Sequence, residues 1–521
     1  MNTLIQSLLR PGSYPHACGA IEVVETHLSW VLLGGPYAYK VKKPVDLGFA
    51  DFSTLARRGR FCREELRLNR RLAPQLYQRV VVITGTPEAP RVDGRGRTIE
   101  YAVRMHRFPQ DALAAQLLAE RKLDAAHFEV LARDIAAFHE RSACAGANSP
   151  RGEPDALLPA VRDNFVQLAA LPGAAARDLE ELQRWSDTRF AALAPVLHAR
   201  KQQGRVRECH GDLHLGNLAL LDGRLTAFDC IEFDPALRWI DTASEIAFIV
   251  MDLHHRGAPA LAHRFLDAWL EASGDYGALQ VLDFFLVYRA LVRAKVAALR
   301  AAQHPPQHAA RGEALAEAGR YVRLARAFTQ PRRPLLLVMH GLSGSGKSTV
   351  SRGLVEQLGL IRVRSDVERK RLSGLGPDPY APHETERTYA TLQDLAAGIV
   401  RAGFGVVVDA TFLRRSQRDA FARLARELGV RFRVIACRAP DGILQERIAR
   451  RRGDVSEATI DVLAQQRRDC EPPAGVEAAR TVFIDTHAAN VLRRALRSLT
   501  HVNAPGPRSR SLNPCQPETA T

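Results

Sequence analysis

Residues 341–349 read GLSGSGKST, and no other stretch of the 521-residue chain constrains its folding so tightly. Gly341 is followed by four residues and then by Gly346, Lys347 and Ser348, the spacing G-x-x-x-x-G-K-[ST], between the apolar run PLLLVMH and the helix-compatible TVSRGLVEQLG. A strand that turns through glycines straight into a helix aims backbone N–H groups and the positive end of the helix dipole at one spot, which suits a phosphate group. The candidate phosphate-binding residues are therefore Gly341, Ser343, Gly344, Ser345, Gly346, Lys347, Ser348 and Thr349. In this reading Lys347 reaches the terminal phosphates of ATP and Ser348 offers its hydroxyl to Mg2+.

The runs PLLLVMH, LIRVR, GVVVDA, FRVIAC and TVFID each precede a helical pattern, which predicts an α/β domain over 333–501 with a five-stranded parallel sheet. Ligands bind at the carboxyl edge of such sheets. Asp366, in RVRSDVERKR, falls at that edge beside Arg364, Arg369 and Arg371, where a carboxylate can take the proton of an attacking hydroxyl; the alternative is a helix cap. Asp409 ends the buried run VVVD and is read as the group that holds a magnesium-bound water, again with capping as the alternative. Arg447 and Arg451, in LQERIARRRGDVSEAT, are read as a segment closing over the nucleotide phosphates, against a merely solvated helix face. Together GLSGSGKST, SDVERKR, VVVDATF and ERIARRRGDVSEAT resemble the P-loop small-molecule and polynucleotide kinases, including gluconate kinase-like and zeta toxin-like proteins.

Prolines 305, 306, 331 and 334 bracket a helical stretch, which is read as a linker over 303–332 between that domain and a first one over 1–302. The first domain opens with strand-like runs (IEVVE, SWVLLGG, YAYKVKK, RVVVIT, IEYAVRM) and continues with long helical periods, an α+β arrangement of two lobes. Its chemistry-bearing segment is ECHGDLHLGNLALLDGRLTAFDCIEFD. Asp212 follows His210 by two residues, Asn217 follows Asp212 by five, and Asp229 closes the next strand. That spacing resembles a kinase catalytic loop, in which Asp212 would orient or deprotonate an acceptor hydroxyl while Asn217 and Asp229 hold Mg2+. The alternative is a metal site built from His210, His214 and the carboxylates.

Such a site also needs a lysine on a strand and a glutamate on a helix. YAYKVKK places Lys40 and Lys42 on one face, and Lys40 lies mid-strand. In RRGRFCREELRLNRRL, Glu65 shares a stripe with Phe61, Leu68 and Leu72, so it points inward and needs a cation; Lys40 is the candidate, a nearby arginine the alternative. Met105, in YAVRMHRF, marks the run expected to meet adenine.

Over about residues 20–300 these features resemble the aminoglycoside phosphotransferase and choline kinase group within the protein-kinase-like fold. The resemblance implies that Asp241 supports the catalytic loop. It departs at VVETHLSWVL, where no G-x-G-x-x-G precedes the lysine strand. The tandem order resembles a bacterial family of bifunctional phosphotransferase and ATP-binding (AAA-type) proteins. The resulting expectation is an ATP- and Mg2+-dependent phosphotransferase with two nucleotide sites and a small hydroxyl-bearing acceptor. Its rivals are a first domain that only senses nucleotide, an antibiotic kinase, and a nucleic-acid 5′-hydroxyl kinase.

The net charge of +16 suits anionic partners, nucleic acid among them. The chain holds only eight lysines against 65 arginines, which draws attention to Lys40 and Lys347. Eight scattered cysteines without a C-x-x-C pair, and no apolar run of membrane-spanning length, point to a cytoplasmic protein with reduced thiols. The Pro- and Ser-rich residues 502–521 read as a disordered tail.

Overall fold

The computed structural model describes residues 2–46, 48, 50–170, 176–372, 381–450, 460–488 and 490–500. The chain divides into two compact units with the boundary between Arg333 and Pro334. The expected tail at 502–521 lies outside the described residues.

The first unit opens with an antiparallel sheet of β1 (Glu22–Glu25), β2 (Ser29–Gly34), β3 (Tyr37–Lys42), β4 (Tyr77–Thr86), β5 (Ala89–Val92) and β6 (Thr98–His106). Its spatial order is β1-β2-β3-β6-β4-β5. Five of these strands coincide with the apolar runs seen in the sequence; β5, APRV, carries a proline and only four residues and left no such signal. One face of the sheet buries Trp30, Leu32, Tyr39, Val41, Val81 and Ile83 together. The helix α1 (Leu55–Asn69), capped by the Thr54 side chain on the Arg57 amide, turns Cys62, Glu65 and Leu68 inward.

The rest of the first unit is largely helical and carries two small hairpin-like pairs, β7 (Val206–Glu208) with β10 (Trp239–Asp241), and β8 (Leu218–Leu221) with β9 (Arg224–Ala227). The β8–β9 turn is Asp222-Gly223, both at positive φ (49° and 74°), the conformation a two-residue hairpin demands. Two apolar helices, α2 (Thr242–His255) and α3 (Leu279–Ala302), form the core of this lobe. The segment read as a linker contains α4 (Ala309–Phe328), which packs along α3 and buries Ala314, Ala318, Tyr321, Val322 and Ala325. Small residues let the two helices approach closely, so this stretch is part of the first unit's packing.

The second unit holds β11 (Leu335–His340), β12 (Ile361–Arg364), β13 (Val406–Asp409), β14 (Arg431–Arg438) and β15 (Thr481–Asp485) in the order β12-β13-β11-β14-β15. All five are parallel, as their continuous apolar character predicted. β11 and β13 are buried on both faces. The central strand β11 runs into the glycine loop and then into α5 (Lys347–Leu358).

Candidate functional sites

In the second unit three glycines shape the loop. Gly341, Gly344 and Gly346 have φ of 140°, 81° and 84°. A Cβ at Gly341 would lie 2.5 Å from the Cys437 carbonyl oxygen, and one at Gly344 2.8 Å from that of Leu444. Only glycine satisfies both the conformation and the close approach. Lys347 Nζ folds back onto the carbonyls of Gly341 and Leu342, at 2.9 Å each. Ser345 Oγ is buried with no hydrogen-bond partner, an acceptor-hungry hydroxyl inside a loop of backbone donors that fits a phosphate group. Thr349 is exposed in the first turn of α5.

A cavity of about 700 Å³ opens beside this loop, lined among others by Lys347, Ser348, Asp366, Arg369, Asp409 and Arg414. The strands therefore bring together the residues that the sequence singled out at three separate places. Asp409 is buried at the end of β13 and accepts a hydrogen bond from Ser351 Oγ at 3.0 Å. Asp366 stands inside the first turn of α6 (Ser365–Arg371), whose cap position is Arg364, so its carboxylate is not the helix cap. Arg369 Nη1 lies 3.8 Å from it. On α7 (Asp441–Ala449), Arg447 donates to the Gly344 carbonyl at 3.2 Å and to Thr486 Oγ1 at 2.9 Å, which ties it to the glycine loop. Arg451 lies outside the described residues. Thr486, Gln466 (which accepts from the Ser343 amide at 2.8 Å) and Ser351 carry no motif, and the sequence reading missed them.

In the first unit a second cavity of about 280 Å³ lies between the sheet and the catalytic-loop-like segment; Lys40, Met105, Asn217 and Asp229 all line it. Lys40 Nζ is 2.9 Å from Glu65 Oε1 and also pairs with Asp229. Burial opposes the lysine's charge, yet Asp229 and Glu65 outweigh it and hold its pKa well above the ordinary value. Lys42, on the same face of β3, bonds Glu65 Oε2 at 2.7 Å and pairs with Glu232. Glu65 is thus shared by two lysines; burial pushes its pKa up, but both ammonium groups hold it down to about 2. Burial raises the pKa of Glu232, against the pull of Lys42. Glu232 was not singled out, although its place three residues after Asp229 is a signal that could have found it.

Asp212 accepts a hydrogen bond from Asn217 Nδ2 at 2.9 Å, and His214 Nε2 lies 3.4 Å from the same carboxylate oxygen. Burial alone would raise the Asp212 pKa, but His214 and then Arg293 hold it below the usual carboxylate range. Since the Asn217 amide nitrogen is spent on Asp212, its oxygen is the atom left for a cation. Asp229 sits at φ 64°, a costly backbone for a non-glycine residue, with its amide on Tyr77 Oη at 3.1 Å. His210 is buried and bonded through Nε2 to the Phe228 carbonyl at 2.9 Å; burial lowers its pKa. Among the described residues, the buried grouping of metal-ligating types is His139, Cys209 and Glu245, while His210 Nε2 is engaged by the Phe228 carbonyl and His214 Nε2 faces Asp212. At the far end, the amides after Met105 are already used: His106 donates to Leu76 and Arg107 to Pro36, each at 2.9 Å. Where a glycine-rich loop would cover the phosphates, Thr26 and Ser29 close a tight turn, the Ser29 amide donating to Thr26 Oγ1 at 2.9 Å.

Asp241 does not support the loop. Its carboxylate takes Arg200 in two 2.8 Å bonds and caps α2. Glu245, one turn further along α2, does the supporting: its Oε1 accepts the amides of His210 and Gly211 at 2.7 and 2.8 Å. Asp252 accepts the Leu215 amide at 2.9 Å. Both are buried acids seven residues apart on one helix face, a spacing visible in the sequence.

Two family models match this chain. The family described as "Phosphotransferase enzyme family" matches residues 52–282, and that described as "AAA domain" matches 336–473. An uncharacterized protein of Mycobacterium tuberculosis is 31% identical over 461 residues, 85% of this chain and 89% of its own length. The gluconokinase of Gluconobacter oxydans is 27% identical over 172 residues, 32% of this chain and 91% of its own. Among solved structures, an amicoumacin kinase in complex with AMP-PNP and Ca2+ aligns at 14% identity over 63% of this chain and 92% of its own, with a TM-score of 0.40.

Proposed function

The chain belongs to one family with that mycobacterial protein and is a kinase, a phosphotransferase-family unit followed by a P-loop unit, and from that premise we propose that each unit transfers the γ-phosphoryl group of ATP to a hydroxyl acceptor with Mg2+. The observation that carries the two-site reading is the assembly, in each unit, of a lysine, a carboxylate and metal-type ligands: Lys347, Asp366, Ser348 and Asp409 line one cavity, while Lys40, Asn217 and Asp229 line the other, with Asp212 held by Asn217 at 2.9 Å.

In the first unit Asp212 orients the acceptor hydroxyl and receives its proton, Lys40 binds phosphate oxygens, and Glu65 keeps Lys40 aimed. Asn217 and Asp229 would hold the metal, and the wall at Met105 meets adenine. In the second unit the residues 341–349 cradle the phosphates, Ser348 and Asp409 would hold the metal, Asp366 takes the acceptor's proton, and Arg447 steadies the loop. Bound Mg2+ supplies neutralisation of the phosphate oxygens as charge moves between them. No helix among the described residues is long and apolar enough to cross a membrane. A cytoplasmic setting is supported by the described cysteines, all of which are free.

The test is an acceptor screen with labelled ATP on the full chain. Asp212→Asn should remove one set of products and Lys347→Ala the other. If neither variant changes any product, the two-site reading is wrong. The glycine-free turn at Thr26–Ser29 and the Lys40 pairing with Asp229 favour a second reading, in which the first unit only senses nucleotide; nucleotide binding there without any Asp212-dependent product would establish it. Phosphorylation of 5′-hydroxyl oligonucleotides that falls steeply with salt would instead assign the second unit to nucleic acid.

A further inference from the structure

A third cavity, of about 1020 Å³, lies in the first unit beside α1. Five arginines (60, 63, 67, 151 and 238) and three glutamates (64, 208 and 232) line it. The glutamates are already satisfied. Arg67 and Arg238 each pair with both Glu64 and Glu208, and Glu232 pairs with Lys42. Arg60, Arg63 and Arg151 are exposed and, among the described residues, have no carboxylate partner. The Arg151 guanidinium stacks 4.5 Å from the Trp239 ring centroid, which fixes the orientation of its donors. Three exposed guanidinium groups, supported by a rigid ion-pair floor, match the planar multi-donor recognition of phosphate oxygens.

The cavity is wired to the lysine pair. Glu64 faces it while the adjacent Glu65 holds Lys40 and Lys42, and Glu232 lines it while its carboxylate holds Lys42. An anion bridging Arg60 and Arg63 on α1 to Arg151 on the following lobe would hold the helix in the position in which Glu65 orients Lys40. We propose that this cavity is an effector site for a multiply charged small phosphate compound, and that filling it strengthens nucleotide binding in the first unit. The coupling, though not the site itself, rests on the first-unit nucleotide reading above.

The experiment uses the full chain carrying Lys347→Ala, so that the glycine loop does not take the probe, and inorganic pyrophosphate as that probe. Calorimetry measures its binding, and a fluorescent ATP analogue is titrated with and without it. Pyrophosphate should bind and tighten the analogue by about threefold or more. Arg63→Glu with Arg151→Glu should weaken pyrophosphate by about tenfold or more while leaving analogue affinity without the probe unchanged. Pyrophosphate that displaces the analogue, or that binds the double variant as well as its parent, overturns the proposal. If the Lys347→Ala chain binds no analogue at all, the first-unit nucleotide reading falls, and the arginine dependence of the pyrophosphate isotherm alone decides the site.

Discussion

Lys42 and Glu65 form a fully buried ion pair, Nζ to Oε2 2.7 Å, beside the first-unit cavity that Lys40 lines and Lys42 does not. The two lysines therefore share one glutamate, one of them at the cavity and the other fully buried. Lys42→Met should lower unfolding free energy by about 3 kcal/mol, because Glu232 is left buried without its cation. Lys40→Met faces a half-exposed Asp229, so it should cost less stability yet abolish nucleotide binding by the first unit. Urea unfolding and analogue titration of the two variants separate these outcomes.

Glu245 joins α2 to the loop that carries Asp212. Glu245→Ala leaves the His210 and Gly211 amides buried and unpaired, which should cost about 2–4 kcal/mol. Glu245→Gln keeps an acceptor but not its charge. For that variant kcat of the Asp212-dependent reaction should fall about tenfold with KM little changed, as for a residue that positions the loop without touching the acceptor.

Gly341→Ala places a methyl group 2.5 Å from the Cys437 carbonyl at a φ of 140°. The loop must deform, so the second unit should lose nucleotide binding and more than about 1 kcal/mol of stability. Analogue stoichiometry falling from two sites to one per chain is the readout.

Acid should expose the ion pairs around Glu208. Burial raises its pKa, but hydrogen bonds from Arg67 and the charge of Arg71 bring it down to about 2, below the ordinary 4.5. A folded-state pKa below the unfolded one contributes stability that is complete above pH about 4.5 and is lost as pH falls toward 2. Across that window Glu208 should add up to about 1.4 kcal/mol per pH unit to the slope of unfolding free energy. Glu208→Gln should remove that increment, as measured by urea unfolding from pH 6 to pH 2.5.

What the sequence determined by itself was whatever is written in contiguous residues. The glycine loop is a strand, a turn and a helix in succession, so its spacing dictates its shape. The Asp212–Asn217–Asp229 segment likewise folds on itself through a local hairpin. Hydrophobic period was enough to turn Glu65 inward, and strand alternation enough to put Lys40 and Lys42 on one face, because both follow from backbone geometry. Neither says which partner waits there. Tertiary structure alone decided that Glu65 serves both lysines, that Glu245 rather than Asp241 carries the loop, and that 303–332 contributes a packed helix. Each of those outcomes depends on contacts between segments that chain order leaves free to meet in many ways. Desolvation then selects the pairing: a buried charge without a partner costs more than the fold can spare, so an arrangement that gives Glu65, Lys42 and Glu245 their partners prevails.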